Sequence, residues 1–427
     1  MATHSMSRRN FARLLAMGGS AAILSHQTLL GSKRARRIDP ITSVGAVDWE
    51  TVRSQFLMPP ELTVLNAANL CPSPAPILET VYNYTQRLDT APVPSYRAEM
   101  SEVKEHTRKQ LAEYLRVTPE EILITRNTSE SNNWVSNGLD LSAGDEVVIF
   151  SDNHPSNNEA WKERGKRFGF IVKEVPPLNP HPGFDYYLEV FEKAMTPRTR
   201  VLSFTHLSNT VGDLFPAKEL CVMARKRGII TLIDGAQSFG LLDVDLSDIQ
   251  PDFYSGSAHK WPCGPKETGL LYVNKTVQDR FWPSMYSAYK GREGLAQTHE
   301  GLGQRDTPAL HAFGQQIEFL REIGQDKIEE RSGNIATEII EELQKTKGVY
   351  IYTPKESALR SAVVTFRPAN LEPAKVVKAL EKDGIVAASQ GGEDWTGVRF
   401  SPHFYNSNSD VERAVGAIRR YLRKGLW

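Results

Sequence analysis

Two residues of this sequence have the types and the placement that imine chemistry requires. Asp234 directly follows the apolar, β-branched run Ile229-Ile-Thr-Leu-Ile233, and open α/β sheets bind ligands at the carboxyl ends of such strands. Lys260 follows in the loop segment Ser257-Ala-His-Lys260. A lysine amine can hold an aldehyde cofactor as a Schiff base, and a carboxylate can keep a pyridine nitrogen protonated. The pair suits pyridoxal phosphate chemistry, although either residue alone more often has a structural role.

The elements that must position this pair follow an alternating pattern. Between about residues 118 and 275, short apolar runs alternate with helical stretches, which predicts an α/β fold with a mainly parallel sheet. The runs are compact and β-branched, as expected of strands buried on both faces. They cover residues 121–125, 146–150, 170–174, 200–204, 229–233 and 269–273.

The pattern of predicted helices and strands changes after about residue 310. An amphipathic helical region, residues 311–345, precedes three short apolar runs at 361–366, 384–388 and 397–400, and a final helix is predicted over 409–423. This pattern predicts a smaller α+β domain. We therefore expect a large domain over residues 37–310 and a small carboxyl-terminal domain over residues 311–427.

The amino terminus carries the pattern of an export signal. The segment Ser7-Arg8-Arg9-Asn10-Phe11 opens a weakly apolar stretch that runs to about Leu24, which resembles a twin-arginine signal. We expect residues 1–36 to be an export segment that engages the twin-arginine machinery and places the protein in the periplasm. Cleavage and membrane anchoring both stay open, and a disordered basic amino terminus is the alternative.

Composition excludes several classes of protein. The 427 residues contain 51 basic and 51 acidic side chains, and this balance argues against a nucleic-acid-binding protein. No apolar run approaches the ~20 residues that cross a bilayer. Three cysteines, Cys71, Cys221 and Cys263, are too few and too scattered for a disulfide framework or a zinc site.

Four further segments carry residue types that bind anions or rings. Asn127-Thr-Ser-Glu-Ser131 opens a helix after a strand, where it forms either a phosphate cradle or an ordinary N-cap. His154, in a strand-end loop, can cover an aromatic ring or can be a surface residue. The segment 205–212 contains His206 and Asn209. Arg399 can grip a carboxylate with two hydrogen bonds or can form a surface salt bridge.

Together these motifs resemble the class V aminotransferase family of fold-type I pyridoxal phosphate enzymes. Asp234-Gly-Ala-Gln237 and Ser257-Ala-His259-Lys260 look like the family signature, and the other motifs occur in the family's order from about residue 60 onward. The family includes cysteine desulfurases, isopenicillin N epimerase, kynureninase and carbon–sulfur lyases. The resemblance implies the fold-type I architecture, pyridoxal 5′-phosphate as cofactor, and a homodimer.

The resemblance also implies a role for each matching residue. Lys260 would hold the cofactor and then act as a base at the substrate Cα, while Arg399 would bind the substrate α-carboxylate. His154 would stack on the cofactor ring and exchange protons. The remaining cofactor contacts would be Asp234 at the pyridine nitrogen, Asn209 and Gln237 at the phenolic oxygen, and Thr128, Ser129, Ser257 and His259 at the phosphate.

One expected contact departs from the family pattern. The partner subunit usually supplies a threonine that follows a glycine as a further phosphate ligand. The corresponding stretch here is Gly303-Gln304-Arg305-Asp306-Thr307, which places Gln304 at that position. Gln304 can still donate a hydrogen bond to the phosphate.

The substrate expected from the resemblance is an amino acid or a peptide-like molecule. Epimerisation, transamination, β-elimination and decarboxylation all stay open. Persulfide-forming cysteine desulfurization is disfavoured because no cysteine follows Cys263, whereas desulfurases carry a nucleophilic cysteine in the carboxyl-terminal domain.

The sequence looks most like the isopenicillin N epimerase-like branch. The export signal favours a secreted small molecule, such as a siderophore, as the substrate. A non-catalytic binding protein that retains the fold is the alternative from a different class, and the presence of both Asp234 and Lys260 argues against it.

Overall fold

The structure, a computed structural model, describes residues 42–43, 46–286, 294–391 and 395–426. The predicted export segment, residues 1–36, lies outside the described residues. All the described residues belong to one compact unit, which spans 39–427. The domain boundary between residues 310 and 311 stays a prediction.

The helices of the described chain precede, separate and follow the strands in sequence. They are α1 (Trp49–Ser54), α2 (Ala75–Thr90), α3 (Tyr96–Tyr114), α4 (Thr128–Gly138), α5 (Pro155–Phe168), α6 (Phe184–Ala194), α7 (Ala217–Arg225), α8 (Leu246–Ile249), α9 (Leu295–His299), α10 (Thr307–Ile323), α11 (Gln325–Gln344), α12 (Pro373–Lys382) and α13 (Asn408–Lys424). Short 3₁₀ helices cover Pro119–Glu121, Lys275–Arg280 and Ser357–Leu359. None of the described helices is both long enough and apolar enough to span a membrane.

The strands form two larger sheets and two short pairings. They are β1 (Thr42–Ser43), β2 (Ala46–Val47), β3 (Thr63–Val64), β4 (Ile122–Thr125), β5 (Glu146–Phe150), β6 (Ile171–Val175), β7 (Thr199–Thr205), β8 (Ile230–Asp234), β9 (Phe253–Ser257), β10 (Gly269–Val273), β11 (Val349–Ile351), β12 (Val364–Pro368), β13 (Ile385–Val386), β14 (Ala388–Gly391) and β15 (Thr396–Phe400). Strand β1 pairs with β2, and β13 pairs with β3.

The large sheet confirms the predicted α/β fold with a mainly parallel sheet. Its seven strands lie in the order β4-β10-β9-β8-β7-β5-β6, and only β10 runs antiparallel to its two neighbours. The carboxyl ends of β4, β5, β7, β8 and β9 therefore meet at one edge. Because each of these ends leads into one of the predicted site segments, this edge gathers them.

Strand β9 was not among the predicted strands. Its sequence, Phe253-Tyr-Ser-Gly-Ser257, contains small polar residues, yet the whole strand is buried. A Cβ atom at Gly256 would lie 2.8 Å from the Phe239 ring. The tight packing against Phe239 explains why the strand carries glycine where a β-branched residue is usual.

The second sheet confirms the predicted α+β character of the carboxyl-terminal region. It is antiparallel, in the order β11-β12-β15-β14, and the apolar side chains of β12 and β15 are fully buried in the main core. The predicted run 384–388 divides between β13 and β14. The predicted helical region 311–345 is two helices, α10 and α11, because Gly324 between them has a φ of +99°, which a residue with a side chain rarely adopts.

Candidate active site

Lys260 lies in a loop whose backbone is held firmly in place. The loop runs from the end of β9 to residue 264, and groups from elsewhere in the chain donate hydrogen bonds to its carbonyl oxygens. These donors are Cys71 N to His259 O (2.8 Å), His403 Nε2 to Trp261 O (2.5 Å), Gln316 Nε2 to Pro262 O (2.7 Å) and Ser73 Oγ to Gly264 O (3.1 Å). Because satisfied carbonyls fix the backbone, the Lys260 side chain starts from a defined position.

The Lys260 amine is tuned toward its neutral form. The pKa of Lys260 is lowered to about 8, mainly by burial; the Asp234 carboxylate opposes the shift, and the Arg399 cation adds to it. The three groups are therefore close enough for their charges to interact. A lysine with this pKa supplies a nucleophilic amine near neutral pH, as the sequence predicts for the Schiff-base residue.

Asp234 ends β8 and its carboxylate is oriented by two donors. It is only 2% exposed, and its oxygens accept hydrogen bonds from Asn132 Nδ2 (2.8 Å) and Ala236 N (3.1 Å). Asn132 is oriented in turn by Ser255 Oγ, which donates to Asn132 Oδ1 (2.7 Å). Asn132 was missed by the sequence reasoning, and the available signal was the polar pair Asn132-Asn133 inside a helix that packs on the sheet.

The start of α4 brings two predicted phosphate ligands together. Thr128 N donates to Ser257 Oγ at 2.8 Å, and the Thr128 and Ser257 hydroxyls are also 2.8 Å apart. Asn127 is the N-cap, since its side chain accepts from Glu130 N (2.9 Å). The segment thus caps the helix and also forms a helix start lined by hydroxyls, which suits an anion.

His154 is placed at the start of α5, on the open side of the site. Its Nδ1 accepts from Ser156 N at 3.2 Å and lies 2.8 Å from Ser156 Oγ. Partial burial lowers the pKa of His154, the Lys260 cation lowers it further, and Asp234 opposes the shift. The imidazole therefore lies within electrostatic reach of both residues of the central pair.

Arg399 is a buried cation that forms no ion pair with any residue that the structure describes. It is 2% exposed, which rules out the alternative of a surface salt bridge. Its Nη1 donates to Asn209 O (2.8 Å) and its Nη2 to Asn66 Oδ1 (3.1 Å), whereas its buried Nε has no partner in the described chain. Burial lowers the pKa of Arg399 to about 10, so an incoming anion would be stabilised here.

Gln237 and Asn209, the predicted contacts of the phenolic oxygen, lie among other protein groups, as does His206. Gln237 Oε1 accepts from Trp261 Nε1 (2.8 Å) and Gln237 Nε2 donates to Ala68 O (3.1 Å), which leaves one amide hydrogen of Gln237 for a ligand. Asn209 is half-buried beside Arg399. His206 is buried with an unpartnered Nδ1 among the described residues, and burial lowers the pKa of His206 to about 4.

Two predicted phosphate ligands, His259 and Gln304, have no contact with the other predicted phosphate ligands among the bonds described above. His259 is half-buried beside Lys260, and burial lowers the pKa of His259 to about 4, with Lys260 and Lys266 adding to the effect. Gln304 is exposed and lines a different cavity, of about 500 Å³, with residues of α2, α3 and their connection. None of the other candidate residues lines that cavity, so the role of Gln304 stays a prediction.

The residues of this edge fit pyridoxal phosphate by their chemistry. The start of α4 offers donors to a phosphate, the oriented Asp234 carboxylate can hold a protonated pyridine nitrogen, and Lys260 has a lowered pKa. Arg399 adds a buried guanidinium whose Nε has no partner in the described chain, which suits a substrate anion.

Residues 64–414 match the model of the family "Aminotransferase class-V". The chain belongs to the aminotransferase class V family. Its cofactor is accordingly pyridoxal phosphate, and it is a pyridoxal-phosphate-dependent enzyme of that family.

Similar proteins and structures cover most of this chain. The isopenicillin N epimerase of Amycolatopsis lactamdurans is 28% identical over 88% of this chain and 98% of that protein. An apo structure of a cysteine desulfurase from Thermococcus onnurineus NA1 superimposes with a TM-score of 0.79 at 24% identity, over 88% of this chain and 98% of that one. A C-DES mutant with glycine covalently linked to the PLP cofactor gives a TM-score of 0.79 at 22% identity, over 86% and 98% of the two chains. The structures share the fold, and the reactions named differ.

Proposed function

We propose that this class V protein acts at the amino group and Cα of an amino acid or peptide-like substrate, with Lys260 as the cofactor-bearing residue. The observation that carries the proposal is the buried guanidinium of Arg399, which lacks a counter-ion in the described chain and lies within electrostatic reach of the Lys260 amine. A carboxylate is the planar anion that a guanidinium binds with two parallel hydrogen bonds. A substrate with an α-carboxylate next to an amine would satisfy both residues at once.

Arg399 and Lys260 would have different roles at the substrate Cα atom. Arg399 would bind and orient the carboxylate, and the hydrogen bonds to Asn209 O and Asn66 Oδ1 hold the guanidinium in place. Lys260, with a pKa of about 8, can take a proton from Cα and return it near neutral pH. The cofactor, when bound, supplies the electron-withdrawing ring that makes a bond to Cα labile.

Persulfide chemistry has little support from the thiols. Cys71, Cys221 and Cys263 are each at most 1% exposed. Burial raises the pKa of Cys221 to about 12 and raises that of Cys263 well above its ordinary value. A sulfur-accepting cysteine needs an accessible thiolate. We therefore favour amino-acid epimerisation or carbon–sulfur lyase chemistry without a persulfide on this protein, even though cysteine desulfurases are among its relatives.

A substrate screen tests the proposal. The protein loaded with pyridoxal phosphate would be mixed with L- and D-amino acids, cystine-like compounds and short peptides in D₂O. Exchange of the Cα hydrogen, inversion, pyruvate release and keto-acid release would each be followed. We expect Cα exchange with at least one α-amino carboxylate, and a much weaker response to the matching amine without a carboxylate.

The outcome also decides between an enzyme and a binding protein. A yellow protein that binds amino acids, as seen by a change of its visible spectrum, but never exchanges Cα hydrogen or forms product would support the non-catalytic alternative. A protein that responds equally to amines with and without a carboxylate would contradict the role of Arg399.

We further propose a homodimer in which Gln304 of one protomer completes the phosphate site of its partner. The support is the exposed position of Gln304 and the cavity that it lines, to which none of the other candidate residues contributes. Sedimentation should give a dimer, and Gln304→Ala should weaken cofactor binding. A monomer with full cofactor affinity would contradict this proposal.

Export to the periplasm is proposed from the Ser7-Arg8-Arg9 segment, with a secreted small molecule such as a siderophore precursor as the substrate. The substitution of both arginines, Arg8→Lys with Arg9→Lys, should retain the protein in the cytoplasm. Unchanged recovery from the periplasm would contradict twin-arginine export.

A further inference from the structure

A row of hydrogen bonds connects the start of α4 with the start of α5. Ser129, the second residue of α4, has its hydroxyl 2.9 Å from the Ser156 hydroxyl, and Ser156 Oγ lies 2.8 Å from His154 Nδ1. The row thus joins a predicted phosphate ligand to the predicted ring-stacking histidine. Ser156, its middle member, has no role in the family resemblance described above.

One backbone amide fixes the direction of every bond in the row. Ser156 N donates to His154 Nδ1 at 3.2 Å, and a backbone N–H can only donate. Nδ1 must therefore present a lone pair, so the Ser156 hydroxyl also donates to it. Because the single hydrogen of Ser156 is used in this way, the Ser129 hydroxyl is the donor to Ser156 Oγ. A neutral imidazole carries one proton, which leaves it on Nε2.

We propose that Ser156 is a positioning residue that holds the His154 imidazole as its Nε2–H tautomer, with Nε2 free to face the cofactor and substrate. This inference rests on the proposed function for the catalytic meaning of His154, but the bonds themselves belong to the protein without cofactor. A tautomer and a ring plane that are fixed in advance lower the cost of orienting a group that transfers protons.

A charged His154 would change the direction of the row. Protonation of Nδ1 would break the bond from Ser156 N, because an imidazolium has no lone pair to offer, whereas the Ser156 hydroxyl would rotate and accept from Nδ1–H. The charged groups whose fields reach the ring are Lys260, which lowers the pKa of His154, and Asp234, which raises it. Loss of the Ser156 hydroxyl leaves only the 3.2 Å bond from Ser156 N to hold the neutral Nε2–H form, so the other tautomer should gain population.

The far end of the row gives a matched control. Ser129→Ala removes the donor to Ser156 Oγ but leaves the two bonds to His154 Nδ1. Since a phosphate anion attracts a hydroxyl hydrogen more strongly than a neutral oxygen does, Ser129 is also the member that a bound phosphate would draw away. Ser129→Ala should therefore affect cofactor affinity more than it affects His154.

The test is ¹⁵N NMR of the histidine side chains in the cofactor-free protein above about pH 8, where His154 is neutral, with its signals assigned by their absence in His154→Gln. The ring-nitrogen shifts distinguish a protonated from a bare nitrogen, and wild type should show the Nε2–H tautomer. Ser156→Ala should shift the tautomer ratio toward Nδ1–H by about fivefold, the effect of one neutral hydrogen bond. Ser156→Thr, which keeps the hydroxyl, should restore the wild-type ratio, and Ser129→Ala should leave it nearly unchanged.

Equal tautomer ratios in wild type and Ser156→Ala would overturn the inference, and so would a Ser156→Thr protein with the ratio of Ser156→Ala. Far-UV circular dichroism would verify that each variant is folded. Failure of the wild-type protein to bind pyridoxal phosphate would contradict the proposed function instead, because the tautomer ratio of the cofactor-free protein still decides the role of Ser156.

Discussion

Replacement of Arg399 by methionine tests whether Arg399 stabilises the fold or instead lowers stability and serves to bind substrate. Burial lowers the pKa of Arg399 from 12.5 to about 10, and at ~1.4 kcal/mol per pH unit the folded protein pays about 3 kcal/mol to keep this cation charged. The substitution removes that cost. It also removes the donors to Asn209 O and Asn66 Oδ1, which loses about 1 kcal/mol for each bond.

The net prediction is that Arg399→Met leaves the free energy of unfolding unchanged or raises it by about 1 kcal/mol. Arg108 is the matched control. It is equally buried, at 2% exposure, but Glu300 binds its guanidinium with two hydrogen bonds of 2.7 and 2.9 Å. Arg108→Met would leave the Glu300 carboxylate without its main partner, which should cost about 3 to 5 kcal/mol.

Two assays complete this prediction. Urea unfolding of the cofactor-free proteins measures the stability of each variant, and steady-state kinetics measures the KM for the best amino acid from the screen. Loss of a buried charge-assisted pair of about 3 kcal/mol should raise the KM of Arg399→Met roughly 100-fold, with a small effect on an amine that lacks the carboxylate. If Arg399→Met unfolds as easily as Arg108→Met, Arg399 is structural and the reasoning is refuted.

Two further predictions concern pH. Burial raises the pKa of Asp213 from 3.8 to about 7, and Asp152 adds to the effect. Between these two values the folded state holds a proton that the unfolded state releases. The free energy of unfolding therefore falls as the pH rises from about 4 to 7. Asp213→Asn should therefore raise the melting temperature at pH 8 but hardly at pH 4, and an equal change at both would contradict the assignment. Because burial lowers the pKa of Lys260 to about 8 and only the neutral amine reacts, the rate at which cofactor-free protein takes up pyridoxal phosphate should rise with pH and level off above about 8. A rate that still rises toward pH 10.5 would contradict a lowered pKa of Lys260.

The sequence allowed the central pair to be predicted because its signals are local. An apolar, β-branched run that ends in Asp234 indicates a strand end, and the carboxyl ends of parallel strands meet at one edge of a sheet. The type of Arg399 and its motif likewise pointed to a carboxylate. Its guanidinium is buried and forms no ion pair within the described part of the chain. That burial depends on the pairing of β15 with β12 and β14, which no local pattern encodes.

The supporting contacts could not be predicted, since they join elements distant in sequence. Asn132 reaches Asp234 because α4 packs over β8, and Ser156 reaches Ser129 because two helices start at the same sheet edge. Strand β9 was not predicted because its sequence lacks a continuous apolar pattern. Close packing against Phe239 requires a glycine at position 256, and this interrupts the pattern. Propensity describes single elements, whereas these features arise from tertiary packing.

The central claim, that Lys260 carries the cofactor, can be tested by chemical trapping. The protein would be loaded with pyridoxal phosphate, reduced with sodium borohydride and digested, and the modified peptide would be identified by mass spectrometry. Lys260→Ala serves as the control. The account predicts a single modified site at Lys260 and no specific label in the variant. Labelling of another lysine, or a Lys260→Ala protein that stays yellow and labels to the same extent, would contradict it.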